Sequence, residues 1–82
     1  MEREKRYVPV TVHFDSDGTM SPMEIEFSDS EIFPIEKIVD VRRAACMSVG
    51  AVGERYTCRI RGRESCLWYE RGRWFVAAKV KE

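Results

Sequence analysis

The chain is poor in the side chains that catalysis draws on most. It has one histidine, His13, in 82 residues, and no carboxylates at a spacing that marks an acid–base pair. A general base or an activated nucleophile has nothing to be built from, so we read a non-enzymatic protein with no catalytic residue. Cysteine is equally sparse. Cys46, Cys58 and Cys66 are an odd three, with eleven and seven residues between them and no C-x-x-C pair. One histidine beside them gives a zinc centre little support, and we expect free thiols, no metal and no cofactor. Asp15-x-Asp17-Gly18 looks like the start of a calcium loop, but its glycine comes two positions early.

Long apolar runs are missing too. None nears the ~20 residues of a membrane span, and the charged opening Met1–Arg6 has no apolar stretch behind it. We expect a cytoplasmic protein without a membrane partner. Net charge is absent as well, with fourteen basic and fourteen acidic residues. Strong non-specific affinity for nucleic acid grows with the number of phosphates neutralised, so overall neutrality argues against it. The balance hides an asymmetry. Residues 1–41 carry four basic and ten acidic side chains, a charge of −6. Residues 42–82 carry ten and four, a charge of +6. Either the halves pair with each other, or the basic half faces a polyanion.

What is present is β pattern, densest from Glu54 to Lys79. Tyr56, Cys58 and Ile60 alternate with Arg55, Thr57, Arg59 and Arg61, the period of a half-buried strand. Gly62-Arg63 and Arg71-Gly72 read as two-residue turns, which makes a three-stranded meander. The first turn sets Ile60 opposite Ser65, Cys58 opposite Leu67 and Tyr56 opposite Tyr69. The second sets Glu70 opposite Arg73, Tyr69 opposite Trp74 and Leu67 opposite Val76. One face then collects Tyr56, Cys58, Ile60, Leu67, Tyr69, Trp74, Val76, Ala78 and Val80 as the core. The other carries Arg55, Arg59, Trp68, Arg73, Phe75 and Lys79, with Thr57, Trp68 and Phe75 in one row across the strands. Two aromatics among cations on an outward face have two readings. Another strand or the N-terminal hairpin covers them, or they form a stacking platform for single-stranded nucleic acid or a patch for a protein partner. These six residues are the candidate binding site.

Earlier in the chain, Val8, Val10, Val12 and Phe14 alternate with polar residues over Arg6–Phe14. Asp17-Gly18 signals a type I′ hairpin that pairs Val12 with Met23, Val10 with Ile25 and Val8 with Phe27. Pro9 donates no ladder bond, so this strand lies at an edge or turns the Pro9 nitrogen outward. Ser28–Glu31 reads as a polar turn, Pro34–Lys37 as a short turn, Ile38–Ala45 as a strand, and Cys46–Gly53 as a flexible connector. His13, alone on a polar strand face, reads as a surface histidine. Residues 1–5 and 81–82 should fray. The expected fold is a single all-β domain over 1–82 with six antiparallel strands: an N-terminal hairpin, a third strand and the meander. We expect these to curl into a small, partly open SH3-like barrel. A flat sheet that dimerises to bury its second face is the alternative, and the expected state is a monomer or weak homodimer.

The stretches Pro9–Asp15, Ile35–Ala44, Arg55–Gly62 and Leu67–Phe75 resemble motifs of a group of small bacterial proteins of about this length and unknown function. Together they span most of the chain. The motifs are structural, so the resemblance implies a fold and no mechanism. Small β proteins of this general look are encoded near translesion polymerase genes, which implies a DNA-repair accessory role.

Overall fold

The computed structural model describes residues 3–27 and 30–79, apart from the side chain of Lys79. Among them all regular structure is β. The strands are β1 (Arg3–Tyr7), β2 (Val10–Phe14), β3 (Met20–Glu26), β4 (Ile32–Pro34), β5 (Lys37–Cys46), β6 (Ala51–Ile60), β7 (Arg63–Glu70) and β8 (Arg73–Lys79). They build two antiparallel sheets, one of five strands in the order β1-β8-β7-β6-β5 and one of three in the order β2-β3-β4. The all-β expectation holds. The six-stranded, SH3-like detail is not confirmed: among the described residues there are eight strands in two antiparallel sheets, and these do not form a closed barrel.

Two prolines account for the extra strands. The expected strand Arg6–Phe14 breaks at Val8-Pro9, where the chain leaves one sheet for the other. Val8 N–H donates to Trp74 O in the large sheet at 3.0 Å, while Pro9 O accepts from Glu26 N–H in the small one at 3.0 Å. Proline, with no N–H of its own, suits that corner. Pro34 ends β4 in the same way. Ile35 N–H then bonds Met23 O in the small sheet at 2.9 Å, and Glu36 N–H bonds Arg59 O in the large sheet at 2.8 Å. Pro22 is fully buried within β3, the central strand of the small sheet. It is tolerated because β4 reaches only Glu24–Glu26, and because β2 bulges between Thr11 and Val12 opposite it. The bulge sets Val12 against Pro22 rather than Met23, whereas Val10 faces Ile25 as expected.

The turns also sharpen the expected registers. Arg61 and Gly62 both take positive φ, 52° and 75°, as a type I′ turn requires. The turn is thus centred one residue earlier than Gly62-Arg63, and the pairing moves by two: Ile60 faces Arg63, Cys58 faces Ser65 and Tyr56 faces Leu67. A shift of two keeps every side chain on its face. Arg71-Gly72 forms the expected type I′ turn, with φ of 50° and 82°. Asp17-Gly18 does not, since only Gly18 has positive φ; Asp17 instead accepts Thr19 N–H at 2.9 Å. Residues 1–2, 28–29 and 80–82 lie outside the described residues, and with them the expected core position Val80 and part of the expected turn Ser28–Glu31. Arg3–Lys5, expected to fray, instead forms most of β1 on β8.

The small sheet packs on the face of the large one that carries Tyr56, Cys58, Ile60, Leu67 and Trp74. Val8, Ile25 and these five are its buried centre, with Tyr69 and Val76 packed against them. This is the expected core face. Leu67, Ile25 and Cys58 are almost wholly buried; each large apolar side chain of this kind contributes about 1.5–3 kcal/mol.

Candidate functional site

By strand alternation the opposite, outer face of the large sheet carries Trp68 and Phe75. Both are buried, at 5% and 0% exposure, in a second small core with Cys46 and Ala51. The cover is the far end of the β5–β6 hairpin, which the expectation of a flexible connector at Cys46–Gly53 missed. Met47–Gly50 is a tight turn, and Ala51–Gly53 already belongs to β6. Gly53 is what brings the hairpin end in. A Cβ there would lie 2.5 Å from the carbonyl oxygen of Tyr69, so only glycine permits this approach. On the other flank, Tyr7 meets Phe75 edge-on at 6.1 Å. Lys5 Nζ lies 5.0 Å from the Phe75 ring centre and bonds Glu70 Oε1 at 2.9 Å. The stacking-platform reading is therefore closed off: the rings are covered, by the end of the β5–β6 hairpin rather than by the N-terminal β2–β3 hairpin.

The six candidate residues do not form one contact surface. In the row through Trp68, the residue opposite it on β6 is Arg55 rather than Thr57, with Arg42 beyond it on β5. Arg55 is half-buried, and its Nε is buried with no hydrogen-bond partner. Arg59 is exposed, flanked across the strands by Lys37 and Glu64. Arg73 is exposed and lies over the Tyr7 ring, 3.5 Å from its centre. The Lys79 side chain lies outside the described residues; its backbone pairs with Arg3. The charge asymmetry is partly spent within the fold, since Arg42–Asp40 and Arg61–Glu31 each join a base of the second half to an acid of the first; Lys5–Glu70 runs the other way. Lys37, Arg59, Arg63 and Arg73 form no ion pair among the described residues.

The opening that remains lies between β7 and β8. Their pairing runs Glu70↔Arg73, Tyr69↔Trp74, Trp68↔Phe75 and stops. The expected pair Leu67–Val76 is not made. In an antiparallel ladder the residues after a two-residue turn alternate between bonded and non-bonded pairs. Glu70–Arg73 and Trp68–Phe75 are thus the bonded pairs, and Cys66–Ala77 would be the next. Beyond Trp68, β7 stays with β6 as far as Arg63, while β8 stays with β1 as far as Lys79. The two strands therefore part like a fork, with the backbone groups of Glu64 and Cys66 on one edge and of Ala77 on the other. Arg3 marks the gap by donating its Nη1 to Ala77 O at 3.3 Å.

Cavities flank the fork on both faces. The inner one, about 500 Å³, is lined by Ile25, Phe27, Phe33, Ile60, Leu67 and Val76, with Arg61 and Arg63 at exposed positions. The outer one, about 630 Å³, is lined by Arg3, Arg6, Glu64 and Trp68 among others. Phe27, Ser65, Cys66 and Val76 border both. No motif announces this fork. Its one trace in the sequence is the charged segment Arg3–Arg6, which holds β8 from the side away from β7.

The three cysteines are unpaired. Cys58 and Cys66 point to opposite faces, since Cys58 stands opposite Ser65 and Cys66 opposite Thr57. Burial pushes the Cys58 thiol up to about 11, and its Sγ donates to Tyr56 O at 3.5 Å. Cys66, at the fork, is exposed. His13 is exposed on β2, 3.1 Å from Asp15 Oδ1. Among the described residues no group of three His, Cys, Asp or Glu side chains is placed to hold a metal ion, and no helix is long and apolar enough to cross a membrane.

Compared with protein-family models, with curated proteins and with solved structures, the chain matches none. Its function is argued from this geometry alone.

Proposed function

We propose that the chain is a non-enzymatic binding module whose ligand is another protein, taken up at the fork between β7 and β8. One observation carries this reading. Two facing strand edges lack their ladder partner from Cys66 and Ala77 onward, beside an apolar cavity of about 500 Å³. Unpaired edges are costly to leave open and are common sites of strand addition. Three unpaired thiols fit a reducing, cytoplasmic setting.

A nucleic-acid accessory role is the second reading. The cations without an ion pair support it, Arg59, Arg63 and Arg73 above all, together with the unpartnered Nε of Arg55. The burial of Trp68 and Phe75 removes base stacking from it and leaves phosphate contacts, which depend steeply on salt. It ranks below the first because the fork's inner wall is apolar.

Cys66 separates the two. It is the exposed thiol, so a maleimide-linked photocrosslinker placed there reports what occupies the fork. We expect irradiation in lysate to join the chain to a protein, with the yield falling sharply for Arg63→Glu and holding for Arg71→Glu, at the closed end of the hairpin. Crosslinks to nucleic acid, or protein crosslinks indifferent to Arg63→Glu, would contradict the protein reading.

A further inference from the structure

We infer that the fork accepts one extended, acidic peptide segment as an inserted strand, with its bulky apolar side chains turned into the inner cavity. This rests on the protein-binding reading above and specifies its partner's chemistry. The free edges are short. Glu64–Leu67 on β7 and Val76–Ala78 on β8 are three or four residues each, ~10–13 Å at ~3.3 Å per residue. A strand entering there bonds Glu64 and Cys66 on one side and Ala77 on the other, running parallel to one neighbour and antiparallel to the other.

Side chains on such a strand alternate between faces. Those on the inner side meet Phe27, Ile60, Leu67 and Val76 in the apolar cavity. Those on the outer side meet Arg3 and one carboxylate, Glu64, while Arg6, opposite Val76, borders the same cavity from the inner side. Arg63, on the inner rim, has no ion pair among the described residues. An acidic segment with large apolar side chains suits the apolar wall and the cations around its rim; a basic segment would meet like charge at Arg3, Arg6 and Arg63. The charge pattern also disfavours a second copy of this chain entering through its β8, whose two charges, Arg73 and Lys79, are both basic.

The test uses the whole chain, ¹⁵N-labelled, and a synthetic eight-residue peptide alternating Glu and Leu. At saturating peptide, amide exchange at Cys66 and Ala77 slows by about tenfold or more, with little change at Lys37–Cys46 on the free edge of β5. Ala77→Pro removes an N–H that lies outside the β7–β8 ladder, so it keeps native tryptophan signals and weakens binding about tenfold. Arg63→Glu weakens the Glu-Leu peptide and strengthens a Lys-Leu counterpart, which keeps the test valid should Ala77→Pro unfold. Absence of protection at Cys66 and Ala77 overturns the inference. So does protection produced by oligo-dT, or by self-association at high protein concentration, and not by the peptide. If the Cys66 crosslink to a protein stands while the peptide fails, strand insertion falls and the binding-module reading survives.

Discussion

Trp68 and Phe75 lie parallel, their ring centres 6.0 Å apart and their planes 8° apart, and they are the last pair that β7 and β8 make. The stack closes the sheet at one end and leaves it open at the other. On its outer side the β5–β6 hairpin seals it with Cys46 and Ala51. The feature that looked like a binding platform is thus a clamp, and the contact surface lies just past it.

The clamp has a measurable cost of removal. Phe75 is fully buried, and truncating a buried Phe costs ~3–5 kcal/mol through lost burial and the cavity left behind. Phe75→Ala should lower the urea midpoint accordingly. In the intact protein both tryptophans, at 5% and 8% exposure, should emit at short wavelength and resist iodide quenching.

Gly53 should be the least replaceable glycine for packing reasons. Gly53→Ala forces a Cβ toward the Tyr69 carbonyl, and an overpacked backbone contact costs ~1–3 kcal/mol. Gly50, in the turn, has open space around it and a φ of 68°; its replacement meets backbone strain alone. Equilibrium unfolding of the two variants should show Gly53→Ala as the more damaging, with Trp68 becoming easier to quench.

The Lys5–Glu70 pair makes stability depend on pH at the extremes. Its hydrogen bond, with the opposite charge, holds Glu70 below the ordinary carboxyl value of 4.5 and Lys5 above the ordinary amine value of 10.5. A lowered carboxyl stabilises the fold fully above 4.5, and that contribution is lost as pH falls through its folded value. A raised amine stabilises fully below 10.5, and that contribution is lost as pH rises through its own folded value. Thermal melts should therefore show no contribution from this pair to the slope between pH 5 and 10. Below 4.5, Glu70→Gln should fall less steeply than the parent chain.

The thiols should react in a fixed order. Cys66 is exposed, whereas Cys46 and Cys58 are buried and the Cys58 thiol is pushed up to about 11. Since the thiolate is the reactive form, a thiol reagent at neutral pH should modify one cysteine quickly and the other two only on unfolding. Peptide mapping should place the fast site at Cys66.

The core face was legible because period-two alternation survives a register error of two. Tyr56, Cys58, Ile60, Leu67 and Trp74 fell on the right side although the first turn is centred on Arg61-Gly62. Four things were not legible. Pro9 and Pro34 bend the chain between sheets, and a proline signals an interruption without saying whether the strand ends or turns a corner. Gly53 reads as loose linker composition, yet it marks a close approach that only the neighbouring Tyr69 carbonyl reveals. The six-residue site failed because alternation assigns a face and cannot tell whether a distant hairpin end covers it. The fork left no motif: past Trp68 and Phe75 each strand simply keeps its other neighbour, β7 on β6 and β8 on β1.

The most direct measurement is residue-resolved amide hydrogen exchange of the free protein. The fork predicts fast exchange at Glu64, Cys66 and Ala77, beside slow exchange at Leu67, bonded to β6, and at Phe75, bonded to Trp68. Protection at Cys66 and Ala77 equal to that of Phe75 would mean that β7 and β8 stay paired to their ends, with no slot for a strand to enter.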